Sequence, residues 1–448
     1  MDQKIGIWGL GIVGKSAVRY FSQKNDRIEV FDARALTQEE REFLTAHNAH
    51  YSTESLANFL ENNDYILASC TIDLRPYSHY SHKWLSELDI FYQECKVPII
   101  AITGSVGKTT ITHLLFQLLI AHNKKVFMGG NIGVGLLDQI DHANQSDYVV
   151  LEVSSFQLER SSSFCPTLAI VTNIHANHLD RHGTFEQYQK AKLKIISTKN
   201  NQQVLIPFSL LHALPPANET KHYYLFSLKK PSDNELSLLD DLHTLYFLHN
   251  GMLMMYYQTN LVELTDITES LTITYPENIL VLASMFSMLG LCHDHFAASL
   301  SIQHIPEHRL EKFATVRNIH FYNDSKSTIP ASTLAAIENI HRPIVLFLGG
   351  VSKGVDRSEL ICQLKDKVKF IYCFGKEADS LKQWCEDHTI ASIACATLEE
   401  TVTTFNTVIK PGDNVLFSPA GASYDLFKDY KERGDCFKKL VHDFISKT

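Results

Sequence analysis

The chain has 448 residues, 45% hydrophobic and 20% charged, with a formal net charge of −9. That length exceeds what one core fills and predicts two to four domains. An acidic balance without a Lys/Arg cluster among aromatics excludes a nucleic-acid surface, and no apolar run is long enough to insert in a membrane. The nine cysteines never form Cys-x-x-Cys and read as reduced thiols, and the chain opens on a strand rather than a leader. We therefore expect a soluble cytoplasmic protein.

From Lys4 an apolar strand runs into Gly9-Leu10-Gly11-Ile12-Val13-Gly14, then a helix from Lys15 to about Gln23, then a strand Arg27–Phe31 closing on Asp32. Gly-x-Gly-x-x-Gly between strand and helix, with an acid after the next strand, is the pattern of a dinucleotide-type unit. The turn faces a diphosphate and the acid takes a ribose hydroxyl. A mononucleotide fold that binds nothing there shows the same letters. Asp64–Ser69 reads as another strand and Cys70–Tyr80 as loop, with a first boundary near residue 95.

Next comes Val97–Ile102, a buried strand by its apolar run, then Thr103–Gly107 as a tight turn and a helix over Thr109–Ala121. The turn and helix mouth read Gly104-Ser105-Val106-Gly107-Lys108-Thr109-Thr110, an abbreviated phosphate loop with Ile102 where the strict pattern has Gly. Free amides and the helix's positive end face the phosphates, Lys108 adds charge, and the Thr109 hydroxyl suits Mg²⁺. Strand Lys125–Phe127 leads to Gly129-Gly130-Asn131-Ile132-Gly133. Strand Tyr148–Leu151 delivers Glu152; strand Leu168–Val171 delivers Asn173, His175 and His178. Ligands of open parallel sheets sit beyond the carboxyl ends of the strands, so these groups should converge with the phosphate loop. Glu152 is the best-placed carboxylate for a magnesium ion held by Thr109. Lys190, Lys192 and Lys194, on a helix over Phe185–Ser197, read by composition as a solvated face. Between Gln203 and Thr274, short runs (Thr244–Leu248, Met252–Tyr257, Leu271–Ile273) predict a small antiparallel excursion, followed by a helix over Asn278–Leu291.

A second boundary near residue 300 opens a third unit with strands Ile319–Tyr322, Ile344–Leu348, Phe370–Phe374 and Val415–Phe417, each ending in a small or polar loop. Asp324 and Lys326 share one such loop, and Lys353 follows Gly349-Gly350. The expected fold is α/β in three domains (1–95, 96–300, 301–448), each on a mostly parallel Rossmann-like or phosphate-loop sheet.

Taken together, these blocks resemble the Mur ligases along the whole chain. The likeness rests on Gly9–Gly14, Thr103–Thr110, Gly130-Asn-Ile-Gly133, Glu152-Val-Ser-Ser-Phe-Gln-Leu158, His178-Leu-Asp-Arg-His182, Ala191-Lys192-Leu193, His308-Arg309, Asp324-Ser-Lys326 and Ser418-Pro-Ala-Gly-Ala-Ser423. The fourth and fifth blocks point to the branch that adds D-glutamate. The resemblance implies ATP-driven ligation in cytoplasmic peptidoglycan synthesis. ATP phosphorylates the carboxylate of UDP-N-acetylmuramoyl-L-alanine, and the D-glutamate amine then attacks the acyl phosphate. It also implies catalytic roles for Lys108, Asn131, Glu152, His178 and Lys192, the last as its CO₂ adduct. Two Mg²⁺ sites would use Thr109 with Glu152 and His178 with Lys192. ATP would meet residues 104–110, Asn278 near adenine, and Arg309, Asp324 and Lys326 from the third domain. UDP would sit on Ile12, Val13, Asp32 and Arg34, with Asn131 and His178 near the muramoyl carboxylate. D-glutamate would be held by Lys326, Thr328, Lys353, Ser423 and Tyr430, in a monomer.

Departures from the family pattern are Ser69-Cys70-Thr71-Ile72 for Ser-Pro-Gly-Ile, Thr274-Tyr275 for His-Asn, Val351-Ser352 without the acid before Lys353, Ile329 for Asn, and Gly421 for Cys. The competing readings are a ligase like folylpolyglutamate synthase, a dehydrogenase using NAD, and a nucleotide-gated binding protein without catalysis.

Overall fold

The structure is a computed structural model and describes residues 3–24, 26–197, 202–214, 222–293, 296–301 and 305–446. Among these, the strands form three sheets. The first contains β1 (Lys4–Trp8), β2 (Arg27–Phe31), β3 (Ala49–Tyr51), β4 (Tyr65–Ala68) and β5 (Trp84–Leu85) in the order β3-β2-β1-β4-β5. All its pairings are parallel. Gly9, at φ +95°, makes the turn after β1, and the helix begins at Ile12, before the expected Lys15. A short 3₁₀ segment, Arg75–Lys83, occupies part of the expected Cys70–Tyr80 loop.

The central sheet has β6 (Ile99–Thr103), β7 (Val126–Gly130), β8 (Tyr148–Glu152), β9 (Leu168–Val171), β10 (Gln203–Pro207), β11 (Tyr223–Ser227), β12 (His243–His249), β13 (Met252–Tyr257) and β14 (Asn260–Asp266). Their order is β14-β13-β12-β11-β10-β9-β6-β8-β7. The antiparallel excursion is therefore confined to β12–β14, while β10, β11 and β12 pair in parallel and continue the main sheet. Leu271–Ile273 is not a strand; Ser270–Thr272 forms a 3₁₀ turn. β6 is buried on both faces. Ile100 and Ile102 pack with Leu114, Leu115, Leu118 and Ile279 of the helices Lys108–Ala121 and Pro276–Met288. Each such side chain removed from water contributes about 1.5–3 kcal/mol. On the other face, Ile99 and Ala101 belong to a cluster that runs on into Ile5, Ile7 and Leu67 of the first unit.

The third sheet has β15 (Glu311–Val316), β16 (Ile319–Asn323), β17 (Ile344–Gly349), β18 (Phe370–Phe374), β19 (Ser392–Cys395) and β20 (Asn414–Phe417), ordered β15-β16-β20-β17-β18-β19. Only the β15–β16 pair among these is antiparallel. Separate clusters cover its two faces. No described helix is long and apolar enough to cross a membrane.

Candidate active site

The phosphate loop leaves β6 through two glycines at positive φ, Gly104 (+150°) and Gly107 (+88°). Gly107's φ of +88° favours glycine, and a Cβ there would lie 2.5 Å from the Asn278 side-chain oxygen, which would have to move. The loop is fixed from β9: Ser105 N–H donates to Asn173 O (3.0 Å), Val106 N–H to Asn173 Oδ1 (2.9 Å), and Thr172 Oγ1 to Val106 O (2.6 Å). Asn173 Nδ2 also donates to Glu277 (3.1 Å), whose carboxyl burial pushes up to about 7. Two of the loop's amides are thus spent on Asn173 and fix the loop's shape at the open end of the helix Lys108–Ala121, whose first-turn amides have no partner within the helix.

Beside the loop, Thr109 Oγ1 donates to Glu152 Oε2 (2.6 Å) and Asn131 Nδ2 to Glu152 Oε1 (2.9 Å). Burial by itself would raise the Glu152 carboxyl; Lys108, Lys326 and these hydrogen bonds outweigh it and hold it below its ordinary value. Lys108 is folded back, its Nζ donating to Gly104 O (2.7 Å), and burial lowers its pKa. His178 stands in the left-handed region (φ 54°) with its ring 4.9 Å from that of Phe156. Burial, then Lys353, Lys108 and Lys192, depress it to about 2, so its imidazole is neutral. Lys192 is 2% exposed, donates to Gly104 O (2.8 Å), and lies 4.8 Å over the Tyr188 ring. Burial and Lys108 push it well below the usual lysine range, which favours the neutral amine, the form that condenses with CO₂. The sequence reading of a solvated lysine face holds for exposed Lys190 and Lys194 and fails for Lys192, which faces inward with Tyr188 one turn before it.

The third unit closes the cleft. Lys326 Nζ donates to Thr109 Oγ1 (3.1 Å) and sits 4.8 Å over the Tyr430 ring, while Lys353 Nζ donates to Thr328 Oγ1 (3.0 Å). Burial, with neighbouring cations, lowers Lys326 to about 7 and Lys353 to about 8. The cleft between the units measures about 360 Å³. Its lining includes Ser105, Val106, Lys108, Thr109, Asn131, Glu152, His178, Lys192, Arg309, Lys326, Thr328, Lys353, Ser423 and Tyr430, all singled out from sequence. Among the lining residues Glu152 is the one carboxylate, against five Lys or Arg, which suits polyanionic and carboxylate ligands.

Other expected residues lie elsewhere. Gly104, Gly107 and Thr110 form the loop and helix mouth without lining the cleft. Asn278 is buried and donates to Thr274 Oγ1 (3.2 Å). Asp324 is buried too: Oδ1 accepts from Leu310 N–H, and Oδ2 from Ser327 and Ser418 Oγ, so it ties three segments of the third unit together. Ile12, Val13, Asp32 and Arg34 are outside the cleft, the first two opening the helix after the glycine turn and the others following β2. There Asp32 accepts from Leu10 N–H (2.8 Å), and Arg34 grips Glu40 through two bonds of 2.7 Å. Sequence reasoning named Cys70, Thr71 and Phe156 only as parts of family blocks, without a site role, and missed Asn177 and Tyr188 in the lining. It also missed the buried Arg357 and Arg433, which hold the third unit's loops by donating to Gly349, Gly350, Gly421 and Ser325 carbonyls. Cys70 and Thr71 follow a parallel strand's carboxyl end, and Tyr188 is four residues before Lys192; both signals were available.

Three α/β units, a phosphate loop facing a hydroxyl–carboxylate pair, and cations brought in from another unit define a nucleotide-using enzyme that handles anionic substrates. Residues 102–231 match the Mur ligase middle domain and residues 308–421 the Mur ligase, glutamate ligase domain. The UDP-N-acetylmuramoylalanine–D-glutamate ligase of Thermoanaerobacter sp. (strain X514) is 31% identical, covering 98% of both chains. The ligase of the same name from Bacillus cereus (strain G9842) is 35% identical over 81% of this chain and 78% of its own. The fold is shared with a pseudomurein peptide ligase type C from Methanothermus fervidus (TM-score 0.58, 16% identity, 98% and 100% covered). It is shared as well with a MurF ligase from Thermotoga maritima in complex with ADP (TM-score 0.58, 17% identity, 95% and 96% covered). The chain belongs to the Mur ligase family and is an ATP-dependent, amide-bond-forming ligase.

Proposed function

We propose that the chain joins D-glutamate to UDP-N-acetylmuramoyl-L-alanine, in the cytoplasm and as a monomer, for peptidoglycan synthesis. One observation carries the reading: phosphate loop, ionised Glu152 and the third unit's lysines meet in a single cleft, in a chain whose full-length relatives are named for that reaction. The first unit (1–95) would seat the UDP moiety, the central unit (96–300) ATP, and the third (301–448) the amino acid.

In the first step an acceptor carboxylate oxygen attacks the γ-phosphorus and ADP leaves. In the second, the D-glutamate amine attacks the acyl carbon, phosphate leaves, and the nitrogen loses a proton. A free carboxylate is a poor electrophile; phosphorylation gives it a leaving group. The loop amides and Lys108 would neutralise charge at the transferring phosphoryl. Asn131 and neutral His178 would orient the acceptor, and Lys326, Lys353, Thr328 and Ser423 would hold the carboxylates of D-glutamate. The oxygen-rich, ionised pair Thr109–Glu152 fits Mg²⁺. Neutral His178 and a CO₂ adduct of Lys192, whose amine burial pushes toward its neutral form, would fit a second ion. Bound Mg²⁺ would supply charge screening and Lewis-acid polarisation at the phosphates.

The test is nucleotide-sugar-dependent ADP and phosphate release with D-glutamate, compared with L-glutamate, D-aspartate, L-lysine and diaminopimelate, and with a folate acceptor in place of the nucleotide-sugar. Turnover with D-glutamate alone is expected. Absence of ADP with every amino acid, or turnover of the folate instead, would refute the reading.

A further inference from the structure

Arg160 ends the short helix Ser155–Arg160 of the central unit, yet its guanidinium works on the first unit. Nη1 donates to Ala68 O (2.6 Å) and Ser69 O (2.7 Å), and Nη2 donates to Ile72 O. These three carbonyls bracket the loop after β4, whose Cys70 and Thr71 are the first unit's side chains in the catalytic cleft. The same helix presents Ser155 and Phe156 to that cleft at its other end. Cleft wall and loop are therefore held by one rigid turn of helix.

Among the described residues no carboxylate lies within ion-pair distance of Arg160. Nearby Asp73 and Glu159 are paired with Arg181 (3.4 and 3.5 Å), and Asp73 also with Arg75. A largely buried guanidinium that answers to main-chain oxygens of another unit, not to an acid, acts as a clamp with fixed geometry. Within the loop itself there is little else: Ser69 Oγ lies 3.2 Å from Thr71 Oγ1, and Ile72 N–H donates to Ser69 O (3.0 Å).

We propose that Arg160 is a positioning residue for the acceptor, setting the 69–72 loop so that Cys70 and Thr71 meet the nucleotide-sugar as it enters between the first unit and the phosphate loop. This deepens the functional reading above and rests on the first unit being the acceptor's seat. Arg160 touches neither the phosphate loop nor the third unit's lysines, so its loss should fall on acceptor binding. Lysine keeps the charge and has three donors, but on one nitrogen of a shorter side chain in place of the planar fork that reaches Ala68, Ser69 and Ile72 from two, so it should give a partial effect.

The experiment compares Arg160→Met and Arg160→Lys with the wild type. UDP-N-acetylmuramoyl-L-alanine and ATP are varied in turn, and deuterium exchange of the 66–74 amides is followed in the free proteins. Losing two or three charge-assisted bonds should raise the acceptor KM about ten-fold or more in Arg160→Met, less in Arg160→Lys. ATP KM and kcat should stay within about two-fold, and exchange should accelerate at 69–72. An unchanged acceptor KM, or a fall in kcat with ATP KM rising in step, would overturn the inference. If Arg160→Met does not fold, Arg160→Lys decides by the same criteria. Failure of the wild type to use the nucleotide-sugar would strike the functional reading instead. In that case unchanged exchange at 69–72 in the variants would still overturn the clamp, and faster exchange would uphold it.

Discussion

Between the first and central units the seam is apolar and densely hydrogen-bonded. One buried cluster takes in Ile5, Ile7 and Leu67 from one side and Ile99, Ala101 and Leu151 from the other. Asp89 accepts from Ser161 and Ser162 hydroxyls and from the Ser162, Ser163 and Phe164 amides. Asp138 takes Ser16 and Arg19 (both 2.8 Å), and Glu87 accepts from Leu136 N–H (2.9 Å). Between the central and third units the join is of another kind. The third sheet has its own core clusters, touched from the central unit by Tyr275. Gly354 lies so close to Asp180 that a Cβ there would be 2.8 Å from its nitrogen, and Lys326 reaches Thr109 across a cleft crowded with cations. A seam of buried apolar surface and satisfied amides is stable without ligand. A seam of facing lysines repels itself until anions occupy it. ATP and the acidic substrates should therefore tighten the second seam and leave the first unchanged.

The largest effect that separates the two regions is on turnover. Lys108→Ala and Glu152→Ala should each lower phosphate release about a thousand-fold or more, with melting temperature within about 3 °C of wild type. Stopped assays and calorimetric melts read both quantities, and near-normal turnover in either variant would remove that residue from the site. At the other seam, Asp89→Ala strips the acceptor from three amides and two hydroxyls, and should cost about 2–4 kcal/mol of stability while kcat at 20 °C stays within about three-fold. Urea unfolding measures the first; a loss below about 0.5 kcal/mol would show that the seam does not depend on this carboxylate.

The smallest effect is a pH dependence. Burial pushes the Glu87 carboxyl from 4.5 up to about 7. The folded state therefore binds this proton more tightly than the unfolded chain, and the group's contribution to stability falls as pH rises from about 4.5 to 7. Glu87→Gln keeps an oxygen acceptor for Leu136 N–H and carries no charge. It should flatten the fall in unfolding free energy between pH 5 and pH 7.5 by about 1–3 kcal/mol. An identical pH profile in the variant would place the titration elsewhere.

Much of the site was legible because parallel strands deliver their ends to one side. Once Glu152 and His178 were read as following apolar strands of the sheet that holds the phosphate loop, their convergence on residues 104–109 needed only the topology of an open sheet. Lys326, in contrast, follows a strand of another sheet and reaches Thr109 only through the packing of the units. Asp324 and Asn278 do not line the cleft, although Asp324 is two residues from Lys326 and Asn278 lies against Gly107 of the phosphate loop. Whether a strand-end polar group faces ligand or its own unit depends on neighbours such as Ser327, Ser418 and Gly107, which sequence does not pair with it. The runs at β10–β12 announced strands but not partners, since period-two patterning is local while parallel or antiparallel pairing is a long-range choice.

By itself the sequence determined three α/β units, the glycines that let a phosphate loop form, and the chemical types collected around it, because periodicity, turn chemistry and motif spacing are local properties. Only the tertiary structure decided that Lys192 is buried against Gly104 and Tyr188, that Cys70 and Thr71 enter the cleft, and that Arg160 clamps a neighbouring unit. Those facts depend on desolvation and on contacts between residues dozens of positions apart, which arise only when the units pack.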